Sequence, residues 1–181
     1  MVTTVGNARG GGAQGGTVSD ARAIAESVTD PELPMLTLSD LGVLRSVEVS
    51  ADGGVTVTIT PTYSGCPAMD AMRDDLRRSL HEAGYSTVDV RTVLHPAWST
   101  DWITAAGRAK LSEHGIAPPG PARQRAAGPV PLTLQPLVRR VSCPVCGSPD
   151  TEELSEFSAT ACKALRRCRS CREPFEHVKE I

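Results

Sequence analysis

Two cysteine pairs carry the plainest chemistry in the chain: Cys143-Pro144-Val145-Cys146-Gly147 and Cys168-Arg169-Ser170-Cys171, with 21 residues between them. Two residues between cysteines form a tight turn that points both thiolates at one ion. Gly147 then relieves the backbone where amides turn back toward the sulfurs. Two such knuckles predict a closed tetrahedral four-thiolate site of the zinc-ribbon kind. Zn2+ is the expected ion, since a closed site suits a structural metal, although iron, alone or as an iron–sulfur cluster, also accepts four cysteines.

Two further thiols stand apart. Cys66, in Thr62-Tyr63-Ser64-Gly65-Cys66-Pro67, lies between an expected strand and an amphipathic helix that starts at Pro67. Proline suits a first helical turn because its missing N–H is not needed there. The partial positive charge of that helix end predicts a stabilised Cys66 thiolate, able to ligate iron, carry sulfur or attack a disulfide; an inert packed cysteine is the alternative. Cys162 precedes Lys163, Arg166 and Arg167, cations able to lower a thiol pKa, and its alternative is a small buried hydrophobe.

Asp30-Pro31-Glu32-Leu33-Pro34 holds two carboxylates on a backbone fixed by prolines. By itself it reads as a helix stop followed by a solvated loop. His81, His95, His114 and His177 are scattered and read as surface or packed side chains. No nucleophile with a paired base, phosphate-cradling glycine loop or His–carboxylate iron site is legible, so no catalytic residue is expected.

The elements that position these groups follow from periodicity. Ser19 to Val28 reads as a short helix behind a Ser/Asp start. Val43–Val49 and Val55–Thr60 are β-branched and largely alternating, and Ala51-Asp52-Gly53-Gly54 between them predicts a hairpin. Pro67 to Ala83 places Ala68, Met72, Leu76 and Leu80 on one helical face, with Gly84 as a left-handed stop. Thr87 to Val93 is a third strand, and Ser99 or Thr100 caps a last helix ending before Gly115. The order α-β-β-α-β-α predicts an α+β fold, a small two-layer sandwich.

Composition divides the chain. Six of the 16 glycines lie within residues 1–16, so 1–18 reads as a flexible tail. Residues 117–136 hold six of the 14 prolines and read as a linker, leaving 19–116 as the core-forming domain. The last segment, 137–181, has 45 residues and five of the six cysteines, and a piece that short needs a metal or disulfide in place of a large core. The formal charge is −2, and 137–181 carries eight Lys/Arg against seven Asp/Glu with little aromatic surface, which ranks nucleic acid last among partners. No apolar run approaches a membrane span and no basic-then-apolar leader is present, so a cytoplasmic protein with reduced thiols is expected. A lone cysteine could also share a ligand between two chains, which leaves a homodimer open.

Asp30-Pro31-Glu32-Leu33-Pro34, Asp40-Leu41-Gly42-Val43-Leu44 and Thr60-Pro61-Thr62-Tyr63-Ser64-Gly65-Cys66-Pro67 together resemble the SufT-like domain family of iron–sulfur assembly factors. The run His95-Pro96-Ala97-Trp98-Ser99-Thr100-Asp101-Trp102-Ile103, then Gly115-Ile116-Ala117-Pro118-Pro119 and the cysteine ribbon, narrows the resemblance to the PaaD-like (PaaJ-like) family over about residues 19–181. Ser158-Ala159 departs from that pattern, which usually has a glycine after the phenylalanine. The resemblance implies a SufT-like α/β domain and a non-catalytic accessory role in aerobic phenylacetate degradation. The implied partners are a di-iron oxygenase subunit of phenylacetyl-CoA epoxidase, its flavin and 2Fe–2S reductase, and iron–sulfur assembly machinery. It further implies that Cys66, with Asp30 and Glu32, holds iron or a transient cluster, and that Cys143, Cys146, Cys168 and Cys171 bind metal. A redox carrier to the oxygenase and a zinc-ribbon docking module are the rival readings.

Overall fold

A computed structural model describes residues 17–63, 65–122 and 140–181. Helix α1 (Val18–Ser27) precedes strands β1 (Leu44–Val49) and β2 (Val55–Ile59). Helix α2 (Met69–Glu82) and strand β3 (Val88–Thr92) follow, then a single 3-10 turn at Thr100–Trp102 and helix α3 (Ala105–Glu113). Strands β4 (Ile116–Ala117), β5 (Thr151–Ser155), β6 (Lys163–Cys168) and β7 (Pro174–Val178) complete the chain. The α+β sandwich expected from the periodicities is therefore present, with the cysteine ribbon after it.

In the first sheet β1 and β2 form an antiparallel hairpin, and β3 returns parallel to β2 after the α2 crossover. The alternation of β2 puts Val55, Val57 and Ile59 on the buried face, where α2 lays Met69, Met72, Leu76 and Leu80 against them. Gly84 ends α2 in the left-handed region (φ 96), letting the Tyr85 amide reach back to the Leu80 carbonyl at 3.1 Å.

Three helix starts differ from expectation, α2 beginning at Met69 instead of Pro67. The cap of α1 is Thr17, whose hydroxyl accepts from the Asp20 amide while the Asp20 carboxylate accepts from the Thr17 amide. Val18 thus belongs to the helix and Thr17 caps it, because a reciprocal capping box outcompetes Ser19. The last helix is two pieces. Ser99 caps only the 3-10 turn; Ile103 is extended (ψ 123) and buried, and Thr104 caps α3 afresh by accepting from the Gly107 amide at 2.9 Å. Burial of Ile103 and a bond from the Thr104 amide to the Asp40 carbonyl (2.9 Å) fix that break.

The second sheet has the order β4-β7-β6-β5. Its first strand comes from the other side of the expected linker: Ile116 pairs with Glu176 and Ala117 with His177, parallel to β7. The expected 19–116 domain and 117–136 linker meet inside this strand, and residues 123–136 lie outside the described ones, as do residues 1–16 of the expected tail. The ribbon's own apolar cluster is small, Ala117, Val141, Cys143, Cys168 and Phe175, whereas Val178 packs into the core of the first domain.

Candidate functional site

The turns before and after β5–β7 bring the four ribbon cysteines together. Their sulfurs all lie within 4.8 Å of one another, with Cys143 and Cys168 buried and Cys146 and Cys171 exposed. The Cys143 and Cys171 sulfurs are 3.7 Å apart, those of Cys146 and Cys168 3.5 Å, and the Cys171 amide donates to the Cys168 sulfur at 3.4 Å. That amide holds the Cys168 thiol down, to about 6. Although the Glu173 amide works the other way, burial and the sulfurs of Cys146, Cys168 and Cys143 push Cys171 up to about 12. Four thiolates at this spacing repel one another unless a cation sits among them. The donor set therefore fits a closed tetrahedral metal site, and with so small an apolar cluster an ion bound there would supply folding free energy to the ribbon.

The other predicted residues converge on one small cavity of about 30 Å³. Asp30, Glu32 and Cys66 reach it from the first domain, and Cys162, Lys179 and Ile181 from the ribbon. Leu33, Leu41, Trp98, Ile103 and Val178 complete a largely apolar wall. Trp98 is anchored there by its indole N–H, which donates to the Leu41 carbonyl at 2.8 Å. Beside the cavity a groove of about 350 Å³ shares Thr62, Trp98 and Ile181 with it. Sequence reasoning missed Lys179, Ile181 and the wall, because nothing local marks the end of a ribbon as a lining for another domain.

Three expectations about this group are corrected. The loop after α1 is solvated only in part: Pro31 and Pro34 are exposed, but Asp30 is 6 % exposed, and its Oδ1 accepts from the amides of Glu32 and Leu33, both at 2.8 Å. Burial raises the Asp30 pKa against those two amides, and burial and the Asp30 charge raise that of Glu32. Cys66 is not a stabilised thiolate. Helix α2 starts only at Met69, and burial pushes the Cys66 thiol up more than the Ala68 amide pulls it down, with Glu32, Asp30 and Cys162 adding to the rise. Cys162 likewise rises through burial, although the Thr160 hydroxyl and the Lys163 ammonium work the other way. The cations expected to activate it are engaged elsewhere: Lys163 with Glu176 (2.7 Å), Arg166 with Glu153 (3.1 Å) and Arg167 with Glu152. Among the histidines, His177 is buried and lies 3.5 Å from Glu180.

The class of protein follows from these two units and from their relatives. Residues 19–91 match the iron–sulfur cluster assembly protein family, and residues 127–179 match the PaaD zinc β-ribbon domain, so the chain joins an assembly-type α/β domain to a zinc ribbon. It is 44 % identical, over 91 % of its length and 93 % of the relative's, to an Escherichia coli K12 protein provisionally named as a component of 1,2-phenylacetyl-CoA epoxidase. The chain belongs to that PaaD family. Two shorter relatives are an Fe-S protein maturation auxiliary factor of Porphyromonas gingivalis, 34 % identical over 52 % of this chain and 90 % of the relative, and YitW, a factor of the same description from Bacillus subtilis, 31 % identical over 48 % of this chain and 84 % of the relative. A crystal structure of a DUF59 domain from Bacillus anthracis overlays 51 % of this chain and 89 % of its own, with 25 % identity and a TM-score of 0.48. Among the described residues no helix is long and apolar enough to cross a membrane.

Proposed function

We propose that this chain is a non-catalytic accessory factor that delivers or maintains iron or an iron–sulfur centre in a phenylacetyl-CoA epoxidase system, working in the cytoplasm. The observation that carries the reading is the convergence of Cys66, Asp30, Glu32 and Cys162, distant in sequence, on one buried cavity. Thiols and carboxylates around an apolar pocket can take up a borderline cation, and two of each leave room for release. The names of the relatives, maturation auxiliary factors and an epoxidase component, point the same way. The ribbon cysteines hold structural Zn2+ and keep the second half of the cavity folded. The clients are the di-iron oxygenase and the flavin and 2Fe–2S reductase, and the iron source is the general iron–sulfur assembly machinery.

The test is co-expression of oxygenase and reductase with wild-type chain or with Cys66→Ser, followed by iron and labile-sulfide analysis of the purified clients. The expected result is a several-fold lower iron or cluster content with Cys66→Ser while the ribbon's zinc stays at one per chain. Equal client loading with both forms overturns the reading.

A further inference from the structure

We propose that the chain pairs with a second copy of itself along the outer edge of β3, antiparallel and centred on Val90, so that two three-stranded sheets join into one continuous sheet. The inference goes beyond the accessory reading above and does not depend on it.

Among the described residues the two sheets end in four edge strands, β1, β3, β4 and β5. Three of them are blunted. Strand β1 carries an extra residue, Arg45, between Leu44 opposite Ile59 and Ser46 opposite Thr58. Strand β5 does the same with Leu154, between Glu153 opposite Arg166 and Ser155 opposite Leu165. Strand β4 is only two residues long. Bulges and short edges are the devices by which a sheet refuses further strands. Strand β3 has neither: its five residues run in unbroken register along β2, from Val88 opposite Val55 to Thr92 opposite Ile59.

The backbone of β3 is open on its outer side. The Thr87 carbonyl accepts from the Val55 amide at 2.8 Å and the Val93 amide donates to the Ile59 carbonyl at 2.9 Å, which turns the odd-numbered residues toward β2. The N–H and C=O groups of Val88, Val90 and Thr92 therefore point away from the sheet. No loop hydrogen bond or isolated bridge among the described residues reaches them.

The side chains select the occupant. Val90 turns into the core beside α2, so Asp89 and Arg91 share the opposite face, where their side chains are 51 % and 66 % exposed. In a pairing centred on Val90, Asp89 of each copy lies opposite Arg91 of the other. These are the non-hydrogen-bonded positions, at which facing side chains come closest. The neighbouring two-fold registers, centred on residue 89 or 91, set Asp89 against Asp89 or Arg91 against Arg91 and are repelled. A second copy supplies the match by symmetry, as an isologous interface requires. Helix α2 flanks the edge with both signs as well: Arg73, which donates to the Thr92 hydroxyl at 2.8 Å, is paired with Asp70, and Arg77 one turn on is paired with Asp74.

The experiment is sedimentation equilibrium of the full chain, reduced and supplied with one Zn2+ per chain, over a concentration series. Wild type, Asp89→Arg, Arg91→Asp and an equimolar mixture of the two variants are compared, and amide exchange of β3 is followed in the same samples. Both substitutions fall at exposed positions, and far-UV circular dichroism establishes that each variant is folded. The expected result is a wild-type dimer, with each variant alone associating at least tenfold more weakly because like charges then oppose. The mixture recovers association, since every cross-strand pair in it is again of opposite sign. In wild type the amides of Val88, Val90 and Thr92 gain protection as concentration rises, whereas those of Asp89 and Arg91, bonded to β2, are protected throughout. A wild-type chain that stays monomeric overturns the proposal. So does a dimer that both variants form as tightly as wild type, a mixture no better than its components, or a dimer that leaves Val90 exchange unchanged. Protection of these amides only on adding an oxygenase or reductase subunit assigns the edge to a client's strand and likewise overturns it.

Discussion

Gly147 and Arg172 occupy the same place in the two cysteine knuckles. Each lies four residues after the first cysteine of its pair, and each amide donates to that cysteine's carbonyl, Gly147 to Cys143 at 2.9 Å and Arg172 to Cys168 at 3.0 Å. Both are in the left-handed region, with φ of 74 and 69, and Arg172 is the one non-glycine residue of positive φ among the described residues. The knuckles are thus a pseudo-symmetric pair in which one half tolerates backbone strain.

Substitutions at these two positions should have opposite consequences. Gly147→Ala imports the left-handed penalty for an L-residue, about 1–2 kcal/mol, and should weaken zinc retention in a chelator competition by roughly tenfold. Arg172→Gly removes the same strain at the cost of about 0.5–1 kcal/mol of chain entropy, so its zinc retention should equal or slightly exceed that of wild type. Equal losses in both would show that the knuckle amides, not the backbone conformation, govern the site.

Trp98→Phe should cost about 1–3 kcal/mol in urea unfolding, because it leaves the buried Leu41 carbonyl without the indole donor now 2.8 Å away. The volume change is small beside that. A variant as stable as wild type would mean that water reaches the carbonyl from the cavity.

Strand β6 carries one of the four clustered ribbon cysteines, Cys168, as its last residue and begins one residue after Cys162, which lines the cavity. It spans roughly 17 Å as a single extended segment. Stripping the ribbon metal with a chelator should therefore loosen the far wall, and Cys66 should be alkylated by iodoacetamide at least tenfold faster, read on the Cys66 peptide by mass spectrometry. A Cys66 rate unchanged by metal removal would show that the wall stands on its own packing.

Glu180 sets an acid dependence. Its carboxylate accepts from the Gly120 amide at 3.1 Å and lies 3.5 Å from His177, and the His177 contact, against the cost of burial, holds its pKa down at about 2 from an ordinary 4.5. A carboxylate depressed in the folded state contributes stability that is complete above the unfolded value and is lost as pH falls toward the folded one. The stability difference between wild type and Glu180→Gln should thus shrink as pH falls from 4.5 to 2. A difference that does not change across that window would remove Glu180 as the titrating group.

The ribbon cysteines, the hairpin and the face of α2 were legible because each depends on spacing within one short segment: two residues between thiols, a Gly53-Gly54 turn, apolar residues three and four apart. The cavity was legible only in parts. Asp30, Glu32, Cys66 and Cys162 stood out as residues, but their meeting depends on where the ribbon docks, which no local pattern encodes. The same distance defeated the electrostatic reading. From the sequence, Cys66 has a helix end and Cys162 has neighbouring cations; in the fold, burial outweighs the first and Glu176, Glu153 and Glu152 engage the second. Strand β4 was hidden because two residues next to a proline-rich stretch have no periodicity to read.

That two-residue strand bears on how such a chain could be assembled or taken apart. Because Ile116 and Ala117 hydrogen-bond to β7, the ribbon's sheet is finished by residues encoded with the first domain. A gene fragment beginning after residue 117 would give a ribbon with a bare edge at β7, and one ending at residue 115 would give an α/β domain whose cavity lacks a side. The two halves are better regarded as one inherited unit with a splice inside a sheet, and any shuffled or truncated version should be cut on the far side of Pro119.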